Sequence, residues 1–152
     1  MTLRLPNPRW LRGLAILLLS LSLAGCAATF IAAYDEATDR LLTDLTQRTE
    51  TAVVKADSGQ LPEAEREKFY AEAEGTVKTM EMRAGLYAKN EKEIAVLADL
   101  GKRYRALHDR HAAPRTSLTT GLRATLLDLH QIEVAKKRST AFSSGLKKST
   151  TQ

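Results

Sequence analysis

Phe69-Tyr70-Ala71-Glu72-Ala73-Glu74-Gly75-Thr76-Val77-Lys78-Thr79-Met80-Glu81-Met82-Arg83-Ala84-Gly85-Leu86-Tyr87 is the stretch whose pattern decides the fold. Tyr70, Ala73, Val77, Met80, Ala84 and Tyr87 recur at alternating steps of three and four, which lines them along one stripe of a helix and leaves the charges on the other faces. A lone helix of this length is marginal in water, so the stripe must be buried against other helices. Similar patterns flank it. Thr29 to Ala56 carries Tyr34, Ala37, Leu41, Leu42, Leu45, Ala52, Val53 and Ala56 at helical spacing, after Phe30 and Ile31. Ile94, Leu97, Leu100, Tyr104 and Leu107 form a third set, and Leu118, Leu122, Leu126, Leu129, Ile132 and Ala135 a fourth. The expectation is an all-α chain, an antiparallel three- or four-helix bundle after an N-terminal signal segment.

The punctuation between the sets supports this order. Ser58-Gly59 ends the first helix, and Pro62 suits a first-turn position because its missing N–H has no intrahelical partner there. Asn90 and Glu93 have capping-box spacing, which favours a break over one continuous helix from 62 to 111. Ala112-Ala113-Pro114 ends the third helix, and Ser117 is the expected cap of the fourth. After Lys136-Lys137-Arg138, Ser, Thr, Gly and Lys dominate. The expected organisation is a signal peptide at 1–25, a helical bundle domain at 26–138 and a flexible basic tail at 139–152.

The formal charge of +5 is unevenly spread. Residues 35–100 hold fifteen acidic and nine basic side chains, and residues 101–152 eleven basic and three acidic. Antiparallel packing of early helices on late ones would neutralise both halves. Nucleic acid is not an expected partner, because no aromatics interleave with the basic residues to stack on bases. The basic end, Lys136, Lys137, Arg138, Lys147 and Lys148, reads as a helix C-terminus complementing its dipole ahead of contact with anionic headgroups.

At the N-terminus, Arg4, Arg9 and Arg12 precede an apolar run from Gly13 to Leu23, which closes on Leu23-Ala24-Gly25-Cys26 with the chain's only cysteine. The tetrad resembles the lipobox of bacterial lipoproteins at all four positions. That resemblance implies cleavage between Gly25 and Cys26, lipidation of Cys26 with diacylglycerol and further acylation of the new amino terminus. Ala27, in place of an Asp, resembles the class sorted to the outer membrane. The stretches Tyr34-Asp35-Glu36-Ala37-Thr38-Asp39 and Leu126-Leu127-Asp128-Leu129-His130-Gln131-Ile132-Glu133-Val134-Ala135-Lys136-Lys137 look like those of small helical envelope lipoproteins of Gram-negative bacteria, which implies a fold and a periplasm-facing location without an activity. A rival exists within the same residues: no charge occurs between Arg12 and Asp35, so residues 13–33 could span a bilayer uncleaved. Both alternatives export residue 35 onward.

Chemistry has few candidates. His108 and His111 are three apart on a helix and His130 could approach them, a weak metal pattern with no Glu-x-x-His or His-Glu-x-x-His motif to complete it. No nucleophile elbow or phosphate-binding glycine loop occurs, and carboxylates such as Glu74, four residues before Lys78, have ion-pair spacing. The expectation is therefore no enzyme and no cofactor. The role expected is structural, accessory or protein-binding, with a membrane contact through Cys26 and an envelope protein partner; the alternative is a helical module binding a metal or small ligand. Leu86 and Val54, off the main stripes, leave apolar surface for self-association.

Overall fold

The structure, a computed structural model, describes residues 32–149, with side chains as far as Phe142. The expected signal segment, Gly25 and Cys26 lie outside the described residues. Four helices follow in order, α1 (Glu36–Asp57), α2 (Glu63–Ala84), α3 (Glu91–His108) and α4 (Thr116–Ser149), with no strand among the described residues. Each packs on two neighbours, α1 on α2 and α4, and α3 on α2 and α4, which closes an up-down-up-down ring. Fold class is as the stripes predict.

The core runs down the middle of the ring. Leu42 and Leu45 from α1, Tyr70, Val77 and Met80 from α2, Leu97, Leu100 and Tyr104 from α3, and Leu122, Leu126 and Leu129 from α4 are all buried. Burying a side chain of that size contributes about 1.5–3 kcal/mol, so this set dominates the favourable terms.

The turns follow local rules, with some exchanges of role. Past α1, Gly59 takes φ +70, while Gly59 N–H donates to Ala56 O at 3.2 Å and Gln60 N–H to Lys55 O at 2.8 Å, a Schellman ending. The same pattern ends α3, with Ala112 N–H on Leu107 O at 3.0 Å, but there the left-handed residue is His111, φ +49. The break at Asn90 is present, yet the capping box is not formed. Asn90 gives its amide to Ala84 O at 3.1 Å and so finishes α2, and Glu93 is buried elsewhere. Ser117 is not the cap of α4 either. Thr116 begins that helix, and its N–H (3.2 Å) and hydroxyl (2.6 Å) donate to Asp57 from the far end of α1.

Three expected inward residues are displaced by one position. Leu118 is 53% and Ile94 36% exposed, and Ala135 is exposed too, whereas Thr119, Glu93, Glu133 and Lys136 are buried. Stripes of strict three-four alternation, Thr119-Leu122-Leu126-Leu129-Glu133-Lys136 and Glu93-Leu97-Leu100-Tyr104, hold the core instead. Buried threonines are tolerated because their hydroxyls return to the helix: Thr49 donates to Leu45 O at 2.7 Å and Thr119 to Arg115 O at 3.0 Å. Residues 139–149 differ from the loose tail that composition suggests. α4 continues through them to Ser149, with the Thr140 hydroxyl bonded back to Lys136 O at 3.0 Å.

Candidate functional site

The end of the bundle where α1 begins holds two groups of paired charges. Asp35 caps α1, accepting from Ala37 N–H at 3.2 Å and the Thr38 hydroxyl at 2.7 Å. The same carboxylate receives Arg83 of α2 through two bonds of 2.8 Å. The Arg83 guanidinium is the main reason its pKa is lowered to about 2, with Thr38 and the Ala37 amide assisting against burial. Beside it, Tyr34 donates its hydroxyl to Asp39 at 2.7 Å and offers its ring to the Lys137 ammonium at 5.5 Å.

Deeper at this end, Lys136 of α4 donates to Glu93 of α3 and to Glu133, one turn before it, at 2.9 Å. All three side chains are 2–3% exposed. With every group ionised this cluster has one negative charge in excess, and Glu133 Oε2 has no hydrogen-bond partner among the described residues. Burial is the main cause that pushes the Glu133 carboxyl up to about 7, against the pull of Lys136. Lys136 is thus a core residue and not the solvated helix-end cation expected from its Lys-Lys-Arg run. Sequence periodicity contains the signal that finds this trio. Positions 93, 133 and 136 continue their helices' stripes in phase, and only their polarity argues otherwise.

The histidines belong to separate neighbourhoods. His130 Nε2 lies 3.1 Å from the Thr46 hydroxyl, linking α4 to the middle of α1. His108, at the end of α3, has Nδ1 2.8 Å from Glu74 and Nε2 3.0 Å from Glu67, both on α2, and its ring stacks on Tyr70 at 5.3 Å. An imidazole can donate from both nitrogens only as the cation. The bond to Glu74, then that to Glu67, accordingly raises the His108 pKa against burial. His111 Nδ1 approaches the other Glu67 oxygen at 3.3 Å, and that contact leads the lowering of the Glu67 pKa. His108 and His111 therefore share one carboxylate, while His130 does not join them. Among the described residues no three His, Cys, Asp or Glu side chains are arranged to hold a metal ion.

Surface charges pair along helices, as Arg40 does with Glu36, and also across them. Arg123 forks onto Glu50 at 2.7 and 2.9 Å, and Arg105 of the basic half reaches Glu74 at 3.7 Å, as neutralisation of the two halves requires. The expected Glu74–Lys78 pair is not made; Lys78 bonds Glu81 at 2.8 Å, since Glu74 is already committed to His108. A cleft of about 400 Å³ between α1 and α2 is lined by Leu61, Phe69 and charges of both signs. Arg48 there is matched by Asp44 at 3.0 Å and Glu72 at 2.9 Å, so the cleft selects no ligand charge. Set against protein-family models, curated proteins and solved structures, the chain matches none of them.

Proposed function

We propose that this chain is a bacterial lipoprotein, cut between Gly25 and Cys26 and acylated on Cys26, whose helical bundle faces the periplasm as a structural or accessory module acting through protein contacts. The observation that carries the reading is the Leu23-Ala24-Gly25-Cys26 tetrad, placed directly after an apolar run with three arginines ahead of it. One acyl chain holds a protein only marginally and two or more hold it stably, so the full lipoprotein modification would be a durable attachment. No described helix is long and apolar enough to cross a membrane. The Ala27 pattern favours the outer membrane. The bundle is read as a scaffold because its buried charges are matched mainly to one another and its histidines to carboxylates of the adjacent helix.

Replacing Cys26 by Ser tests the attachment. The expected result is loss of metabolic labelling by a palmitate analogue and accumulation of the uncut precursor. A Cys26→Ser protein that remains membrane-bound at its ordinary mature mass overturns the lipobox and favours residues 13–33 as an uncleaved span, the reading supported by the absence of charge between Arg12 and Asp35. Crosslinking in intact cells tests the role, with one stoichiometric envelope protein as the expected product.

A further inference from the structure

The exposed large apolar side chains are unevenly distributed. Leu86, Phe142, Val54 and Met82 are the four most exposed, at 79, 68, 67 and 61%. Three of these, Leu86, Phe142 and Met82, stand at one end of the bundle. The contacts that place them there are Arg83 on Asp35, Asn90 on Ala84, Lys136 on Glu93, and Tyr34 N–H on the Thr140 hydroxyl at 3.5 Å. Because residue 136 is level with residue 93 and the helices run antiparallel, α4 passes the start of α3 near residue 138. The eleven residues from 139 to 149 then extend about 16 Å past the start of α3 at the 1.5 Å rise of a helix.

This is also the end at which the chain enters. Ala32 is already buried, and only five residues separate it from Cys26, a contour of at most about 22 Å. In the uncleaved alternative the uncharged run ends at Asp35 itself. Either attachment holds this end within a short reach of a bilayer. Around the apolar side chains stand the exposed cations Lys92, Lys137 and Arg138, and α4 continues through Lys147 and Lys148. The acids nearby are largely occupied: Asp35 by Arg83, Glu36 by Arg40 at 2.6 Å and Asp39 by Tyr34, with Glu91 an exposed exception.

We infer that this end of the bundle is a second membrane contact, in which Met82, Leu86 and Phe142 enter the headgroup boundary while Lys92, Lys137 and Arg138 meet anionic phospholipid. The inference rests on the attachment proposed above. Apolar side chains flanked by cations are what an interfacial contact needs, since area burial and attraction to anionic lipid add. Each cation near such a surface strengthens the attraction about fivefold. The consequence is orientation: the bundle is held against the bilayer by its α2–α3 turn and the end of α4, and does not swing on its tether.

The test uses the full chain with its attachment, with Trp10, the sole tryptophan, replaced by Phe. Single tryptophans are introduced as Leu86→Trp, Phe142→Trp and, at the opposite end, Leu118→Trp. Each protein is placed in vesicles of brominated phosphatidylcholine, alone or with phosphatidylglycerol. The expected result is blue-shifted, bromine-quenched emission from positions 86 and 142, stronger with phosphatidylglycerol, and none from 118. Combining Lys92→Glu with Arg138→Glu removes the phosphatidylglycerol difference. Emission at 86 and 142 as unquenched as at 118 overturns the inference, as does a blue shift without quenching, which marks self-association of the chain at this end. Flotation of the same samples separates the two readings: floating protein with unquenched probes refutes only the second contact. Protein that does not float refutes the attachment, and quenching by the same vesicles then decides the surface by itself.

Discussion

Replacing Glu133 by Gln should stabilise the bundle at pH 8 and leave it nearly unchanged at pH 4.5. Glu133 is buried beside Lys136, but Glu93 competes for the same ammonium, so three ionised groups leave one uncompensated negative charge in the core. Its pKa stands at about 7, against 4.5 for an ordinary Glu. A carboxyl whose folded pKa is raised binds more protons folded than unfolded between those values, so stability falls as pH rises through that window. The window converts to an order of 3 kcal/mol at 1.36 kcal/mol per pH unit. Gln copies the protonated acid, keeps an acceptor for Lys136 and leaves a balanced Lys136–Glu93 pair. The variant should therefore gain about 2–3 kcal/mol over wild type at pH 8. Urea titrations followed by circular dichroism at pH 4.5, 6, 7 and 8 measure this directly. His108, with its own raised pKa, adds stability that is full below about 6.5 and is lost as pH rises past its folded value. It does so in both proteins and cancels from the difference. A Gln variant weaker than wild type at pH 8 would show that Lys136 needs the Glu133 anion, and would refute the excess-charge account.

Lys136→Met leaves two carboxylates facing each other without a cation, and should cost about 3–5 kcal/mol at pH 7 by urea titration, with part regained at pH 5 as Glu133 protonates. Asp35→Asn should lose about 1–2 kcal/mol at pH 7, but almost nothing near pH 2. The sign follows from its lowered pKa: the stabilisation is present above about 4 and fades as pH falls toward 2. His111→Gly removes a left-handed strain from a side chain that is 71% exposed and should raise the midpoint by an amount equivalent to about 0.5–1 kcal/mol, net of the weak Glu67 contact.

Four helices, their order and most of their core were legible in the spacing of apolar residues. Tyr70, Ala73, Val77, Met80 and Ala84 are buried as their alternation requires, and Gly59 ends α1 where its tolerance of positive φ is needed. Polarity misleads where it decides between adjacent positions. Leu118 and Ile94 look better suited to the core than Thr119 and Glu93, but a helix rotates as one body, and burying Leu97, Leu100 and Tyr104 together carries Glu93 inward with them. The composition of 139–149 suggested a loose end, whereas that segment continues the helix already begun at Thr116.

Sequence by itself determined the helical class and the register of α2, because a three-four alternation of apolar residues has one low-energy solution, burial against other such stripes. It also contains the Leu23-Ala24-Gly25-Cys26 tetrad, whose meaning is local and needs no tertiary partner. Only the tertiary structure decided which charges are core and which are surface. Lys136 and Lys137 are adjacent in a basic run and alike in chemistry, and although 136 continues the inner stripe of α4, its charge argues against burial until its partners are known. One is buried between Glu93 and Glu133 while the other lies over Tyr34, because an ammonium enters a core only where an anion meets it, and Glu93 comes from a different helix.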